Sequence, residues 1–318
     1  MVSGSSLRVI YFGTPAFAVP ALQALIDSRH RVVALVSQPD RPRGRGQQLM
    51  PTPTKRVALD HAIPILQPDR LRDDRFMTEV SGLSPDLGVV AAYGKLLPEA
   101  LLQIPRFGMI NVHASLLPRW RGAAPVHRAV MAGEAVTGVT IMRVVKELDA
   151  GATFAERSRP IGGDETSPVV EADLAALGAG LLMEVVDRIA GGTAVETPQD
   201  ETLVTYAPKI TRDEGLVDWA RPAAQIHNLV RGLQPWPMVS ARLAGERLLI
   251  HQTRPTDETS GAAPGTVVVA GSEGLGVAAG DGRVLRVLRL QPEGRRVMSA
   301  REFLAGRRIT RGLRFERG

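Results

Sequence analysis

The chain has 318 residues, of which 44% are hydrophobic and 23% charged, and it contains no cysteine. Those proportions exclude a disordered, collagen-like or low-complexity scaffold for most of its length. The lack of cysteine excludes disulfides, thiolate metal sites and a cysteine nucleophile.

No apolar run reaches the ~18–20 residues needed to cross a bilayer. The opening Met1-Val2-Ser3-Gly4-Ser5-Ser6 has neither a charged nor an apolar signal region. The expectation is a cytoplasmic protein of about two domains, away from membranes. Net charge is +6, but it is unevenly placed. Residues 1–206 carry 21 Lys/Arg against 22 Asp/Glu, a net of −1, and residues 207–318 carry 18 against 11, a net of +7. Such asymmetry suggests a polyanion, most often nucleic acid, as partner of the last third. An arginine-rich composition gives the same count without any partner.

In chain order, residues 7–12 form a short β-branched and aromatic run ended by Gly13, which predicts a strand. Apolar residues then recur at near-helical spacing, and Pro20 places the start of the regular helix close to itself. Residues 32–36 and 87–92 are nearly continuous apolar runs, as expected for strands covered on both faces. Residues 109–113 and 139–144 follow as strands. This βαβ order implies a mostly parallel sheet, with ligands outside the carboxyl ends of its strands. A helix is predicted over 174–190, then a polar connector. Beyond it, a short helix over 225–233 precedes strands over 241–250, 265–270, 275–279 and 283–290. Asp281-Gly282 is a hairpin signal, and short strands with Gly-rich turns suggest a small barrel.

Four segments could carry chemistry. In Asn111-Val112-His113, strand alternation sends Asn and His to one face at a strand end. An amine attacking a carbonyl needs an oxyanion donor and a group that handles a proton, and this pair can supply both. The bland alternative is a pair bonded to a neighbouring loop. Asp149 lies just past the 139–144 strand, within reach of His113 if the two strands are neighbours; it could equally cap a turn before Gly151. Residues 115–125 hold two prolines, Trp120, Arg119 and Arg121 in a stiff loop that either positions a ligand or packs as a crossover. Residues 38–56 hold four prolines, two glycines, five basic residues and one acid. No helix or strand is predicted there. A loop of this length and charge suggests a phosphate-rich partner, the alternative being a solvated loop. Gly13-Thr14-Pro15 lacks the G-x-G-x-x-G spacing of a dinucleotide site. His61, His127, His227 and His251 show no metal-ligand spacing.

Taken together, the segments RVIYFGTPAFAVPAL, QPDRPRGRGQQLMPTPTK, INVHASLLPRWRGAAPVHRA, LDAG, TYAPKITRDEGLVDW and IHNLVRGLQPWP resemble the methionyl-tRNA formyltransferase family over nearly the whole chain. The central segment is shared more widely among 10-formyltetrahydrofolate-dependent formyltransferases. The resemblance implies an α/β fold: a Rossmann-like, mostly parallel sheet domain over 1–189, a linker over 190–206 and a small OB-like barrel over 207–318 that helps to hold tRNA. It implies formyl transfer from 10-formyltetrahydrofolate, as co-substrate, to the α-amine of methionyl initiator tRNA, without a metal. By position, Asn111, His113 and Asp149 would be catalytic, Ser115, Leu116, Leu117 and Pro118 would line the folate site, and Arg45 would be the key basic residue of the tRNA-contacting loop. Glu147, Ala150, Gln47, Gln48 and His127 depart from common family residues, so the loop's affinity would lean on Arg41, Arg43 and Arg45. A monomer is expected. A sugar- or purine-directed formyltransferase would share the trio without needing the basic loop. A non-catalytic RNA-binding module would keep the loop without needing the trio, and a folate-directed hydrolase would use water as the acceptor.

Overall fold

The computed structural model describes residues 6–43, 48–272 and 274–317. They divide into two compact units. The first takes the described residues through Pro125, with Thr137–Arg159 and Glu171–Ala207. The second takes Val126–Val136, Pro160–Val170 and the described residues from Pro208 onward.

Strand β1, Arg8–Gly13, is buried from Val9 on, as a central strand covered on both faces should be. A 3₁₀ turn over Ala16–Ala18 leads into α1, Val19–Ile26, with Pro20 in its first turn, where a missing N–H costs no helical bond. Strand β2, Arg31–Val36, follows. The next segment corrects an expectation. Residues 38–56 contain β3, Arg41–Arg43, paired antiparallel with β4, Gln48–Met50, and the start of α2, Pro53–Asp60. A two-stranded ribbon leaves each strand an open edge, so Pro42 is tolerated within it. Thr52 caps α2 by accepting from the Lys55 N–H. The ribbon's base is pinned where Lys55 Nζ donates to Asp40 Oδ2 at 2.5 Å and to Gln67 Oε1 at 2.7 Å.

The remaining elements of this half are β5 (Ile65–Leu66), α3 (Asp74–Gly82), β6 (Leu87–Ala91), α4 (Glu99–Leu102), β7 (Met109–His113), β8 (Arg121–Gly122), α5 (Pro125–Ala132), β9 (Val136–Arg143), β10 (Thr153–Pro160), α6 (Ser167–Ala190) and β11 (Tyr206–Ala207). The main sheet runs β10-β9-β7-β6-β1-β2-β5. From β7 through β5 it is parallel, and β9 is antiparallel to β7. This is the predicted Rossmann-like sheet. Ile10, Phe12, Val36, Phe76, Val80 and Leu101 fill one buried cluster against it. Helix α6 begins at Ser167, seven residues before the predicted start; the Ser-Pro pair was a start signal that the periodicity reading passed over.

In the second unit, α7 (Ala223–Gly232) precedes β12 (Val239–Leu243), β13 (Glu246–Thr259), β14 (Val267–Gly271), β15 (Gly274–Ala278), β16 (Arg283–Pro292), β17 (Met298–Ser299), α8 (Ala300–Ala305) and β18 (Glu316–Arg317). The sheet runs β14-β15-β16-β13-β12-β18. The C-terminal segment closes it. Leu313 O accepts from the Val267 N–H at 2.8 Å, the Phe315 N–H donates to Gly265 O at 2.8 Å, and β18 pairs with β12. This gives the small barrel its last seam. Residues 241–250, predicted as one strand, are instead a hairpin between β12 and β13. Its turn residues Ala244 and Gly245 have φ of 51° and 79°. A turn of this hand favours Asn-Gly, so alanine at its first position hid the signal. Among the described residues no helix is long and apolar enough to cross a membrane.

Alanine in the left-handed region costs about 1 kcal/mol, and asparagine visits that region readily. Ala244→Asn is therefore expected to slow amide exchange along the β12–β13 ladder about fivefold, read by hydrogen-exchange NMR.

Candidate active site

The site grows from the carboxyl end of β7. Across the sheet, Asn111 lies opposite Val90 of β6 and Met142 of β9, and His113 lies opposite Thr140 of β9. Val112, between them, is buried on the other face. Alternation thus leaves Asn111 and His113 on one side, as the sequence implies. Asn111 is half-buried, and among the described residues its amide has no hydrogen-bond partner. His113 is 5% exposed. Its Nε2 lies 3.0 Å from Trp120 O, and its Nδ1 lies 3.7 Å from Asp149 Oδ2. Both neighbours are acceptors, so each ring nitrogen has a use for a proton. The second distance is too long for a hydrogen bond, and that contact is electrostatic.

The loop after His113 is built from its own polar groups. Ser115 Oγ donates to Arg119 O at 2.7 Å. Thr140 Oγ1 donates to Ser115 O at 2.7 Å and accepts from the Leu117 N–H at 3.1 Å. Ser115 is fully buried, Leu117 is buried, and Leu116 and Pro118 are half-buried. The Ser115 hydroxyl is therefore committed to closing the loop. Trp120 is half-buried with φ of 63°. Its N–H donates to Thr205 Oγ1 at 2.9 Å. Short β8 then pairs with β11.

Asp149 also has a left-handed backbone, with φ of 50°. Its Oδ2 accepts from the Gly122 N–H at 2.8 Å, which ties the carboxylate to the loop that carries Trp120. Gly151 is required two residues on, because a Cβ there would lie 1.9 Å from Arg143 O.

Sequence reasoning missed the residues behind this geometry. Arg121 is 4% exposed. It donates to Gln199 Oε1 at 3.1 and 2.8 Å and to the two Glu201 carboxylate oxygens at 3.2 and 2.8 Å. Gln199 Nε2 in turn donates to Asp149 O and Gly151 O. The available signal was a polar run, Gln199-Asp200-Glu201, facing a loop arginine that needed partners. Tyr93, just past β6, was also unread: its hydroxyl is buried without a partner among the described residues, and burial pushes it up to about 12. Of the loop arginines, Arg41 is exposed on β3, Arg43 lies on the same strand, and Arg45 lies outside the described residues.

A free amide donor, a buried imidazole and a carboxylate at the end of a parallel sheet suit attack on a carbonyl carbon. The comparisons say which carbonyl chemistry. The pattern of the formyl transferase family matches residues 7–186, and that of the formyl transferase C-terminal domain matches residues 209–308. The fold and the site thus define a formyl transferase. A methionyl-tRNA formyltransferase from Moorella thermoacetica is 45% identical over 300 residues, covering 94% of this chain and 96% of that one. Another, from Citrifermentans bemidjiense, is 46% identical over 308 residues, covering 97% and 96%. The chain belongs to the methionyl-tRNA formyltransferase family. Among solved structures, an N-formyltransferase from Helicobacter canadensis, crystallised with folinic acid and dTDP-3-aminofucose, is similar with a TM-score of 0.69. At 15% identity over 88% of this chain and 98% of that chain, it shares the fold.

Hydrogen bonds from Arg121 hold the Glu201 carboxyl below its usual range. A carboxylate depressed in the folded state adds stability above its unfolded value of ~4.3 and loses it as pH falls through the lower folded value. Glu201→Gln is therefore expected to flatten the fall in urea midpoint between about pH 5 and pH 3, a window that spans the unfolded value, relative to the parent protein.

Proposed function

We infer that the protein transfers the formyl group of 10-formyltetrahydrofolate to the α-amine of methionyl initiator tRNA, and so supports translation initiation. The observation that carries this reading is the meeting of Asn111, His113 and Asp149 at one strand end. It occurs in a chain 45% identical to methionyl-tRNA formyltransferase over nearly its whole length.

The amine's lone pair attacks the formyl carbon, the bond from that carbon to the folate nitrogen breaks with its electron pair going to that nitrogen, and the proton lost by the amine is balanced by one taken up there. Asn111, whose amide is uncommitted, donates to the oxyanion that develops on the formyl oxygen. His113, held between Trp120 O and Asp149, stands beside it on the same face of the strand. Asp149 orients His113 or passes on the amine's proton through water. Leu116, Leu117 and Pro118 line the folate site, and Ser115 acts there by shaping the loop backbone.

Catalysis belongs to residues 1–189, and the connector over 190–206 leads to the tRNA-holding residues 207–318. Arg41 and Arg43 of β3, together with Arg45, contact the tRNA backbone. In the barrel, Arg242 stands directly opposite Arg247, and Arg254 opposite Arg286. Like charges placed so cost stability, although Glu258 pairs with Arg286 and Glu316 lies opposite Arg242 on the other side. A polyanionic ligand offsets that cost. A small sugar amine would need neither the ribbon nor the +7 of the last third. The protein acts as a monomer in the cytoplasm.

The direct test offers 10-formyltetrahydrofolate with three acceptors: Met-charged initiator tRNA, Met-charged elongator tRNA and free methionine. Formylation of the initiator alone is the expected result, and transfer to none of the three overturns the reading. In the same assay Asn111→Ala should lower kcat by about 10²–10³, the usual loss for one oxyanion donor. Arg45→Glu should raise KM for the tRNA, leave KM for the folate unchanged and reduce the salt slope of tRNA binding by about one.

A further inference from the structure

Asp149 has to hold a strained backbone and a fixed carboxylate at once. A non-glycine residue at φ of 50° persists only where its surroundings over-determine it. Its carboxylate is set by one bond, from the Gly122 N–H. Its backbone is set from the other side by Gln199, whose Nε2 donates to Asp149 O at 2.8 Å and to Gly151 O at 2.7 Å. A primary amide can face either way round, so something must fix which end presents the donors. Arg121 does so, because its Nε and Nη2 both point at Gln199 Oε1. A guanidinium carries only donors, which forces the amide oxygen toward itself and the amide nitrogen toward the turn. Glu201 takes the remaining face of the same guanidinium.

We propose that Gln199 is a positioning residue for formyl transfer: its amide, oriented by Arg121, locks the turn over residues 149–151 and so holds the Asp149 carboxylate beside His113. This rests on the reading of Asp149 and His113 as catalytic. Gln199 itself touches neither reacting group. The connector that the sequence presents as a spacer is thereby part of the active site.

The test uses the full-length protein with Gln199→Leu, Gln199→Glu and Asp149→Asn. Glutamate at position 199 still accepts from Arg121 but has no donor for the turn, so it separates the clamp from the burial of Arg121. The first readout is hydrogen exchange at the Gly122 amide, which reports the Asp149 carboxylate without reference to activity. Both Gln199 variants are expected to lose at least tenfold in Gly122 protection while the β6–β7 ladder keeps its own. The second readout is kinetic: kcat at least tenfold lower in both, with KM for folate and for tRNA within twofold of the parent. Unchanged Gly122 protection in Gln199→Leu overturns the proposal. So does loss of protection throughout the sheet in both variants, which would make Gln199 a residue of the fold. If Gly122 is released as expected while Asp149→Asn keeps full kcat, the clamp exists but Asp149 is not catalytic, and the functional reading fails in its place.

Discussion

The Arg121 guanidinium is 4% exposed, yet arginine keeps its charge, so the surrounding chain has to solvate it. That obligation shapes the site. Five N–H donors in a rigid fork need acceptors in fixed directions, and Gln199 and Glu201 supply them from a segment nearly eighty positions along the chain. Taking away one partner of a buried charge is costly because the other stays unpaired. The loop after β7 is therefore bound to the connector before β11, and the β8–β11 pairing runs alongside the same bond. Trp120 and Gly122 flank Arg121. One presents its carbonyl to His113 and the other its N–H to Asp149.

Sheet topology does the rest of the positioning. A parallel strand delivers Asn111 and His113 to the carboxyl edge, where side chains leave the sheet and meet ligand. The antiparallel neighbour β9 passes Thr140 back under the loop, and its chain then turns through Asp149. The two segments of the candidate site thus come from adjacent strands of opposite direction. That explains how residues 36 positions apart approach within 3.7 Å without a long loop between them. It also explains why the 149–151 turn is tight: Gly151 lies against the Arg143 carbonyl, at the end of the strand it has just left.

Much of this was legible in the sequence where one local rule acts alone. Continuous apolar runs marked β2 and β6 because strands buried on both faces need no polar positions. The strand 109–113 and the shared side of Asn111 and His113 followed from a period of two. Legibility ended where tertiary partners override local signals. Arg41-Pro42-Arg43 has no strand pattern of its own and becomes one by pairing with residues 48–50. Ala244 takes a backbone that alanine disfavours because the β12–β13 ladder demands it. Ser115 reads as an available hydroxyl until the loop closes and Arg119 O claims it. Gln199 and Glu201 carry no motif, since their importance lies in a buried charge that only the fold reveals.

The connector shows why composition misleads at such places. A run of Thr, Pro, Gln, Asp and Glu satisfies every local criterion for a solvated spacer, and Glu201 is indeed largely exposed. Yet Thr197 exchanges backbone bonds with Thr153, and Thr205 bonds both the Trp120 N–H, through its hydroxyl, and the Arg121 N–H, through its carbonyl. Each of these bonds ends on a segment that carries part of the site. Polar residues are the right choice here for the reason they are right in solvent: the loop they face presents unpaired N–H groups, carbonyls and one guanidinium, and apolar residues would leave all of them unsatisfied. Polarity in a connecting segment therefore records the need for hydrogen bonds, and in this one the neighbouring backbone and the Arg121 guanidinium answer part of that need.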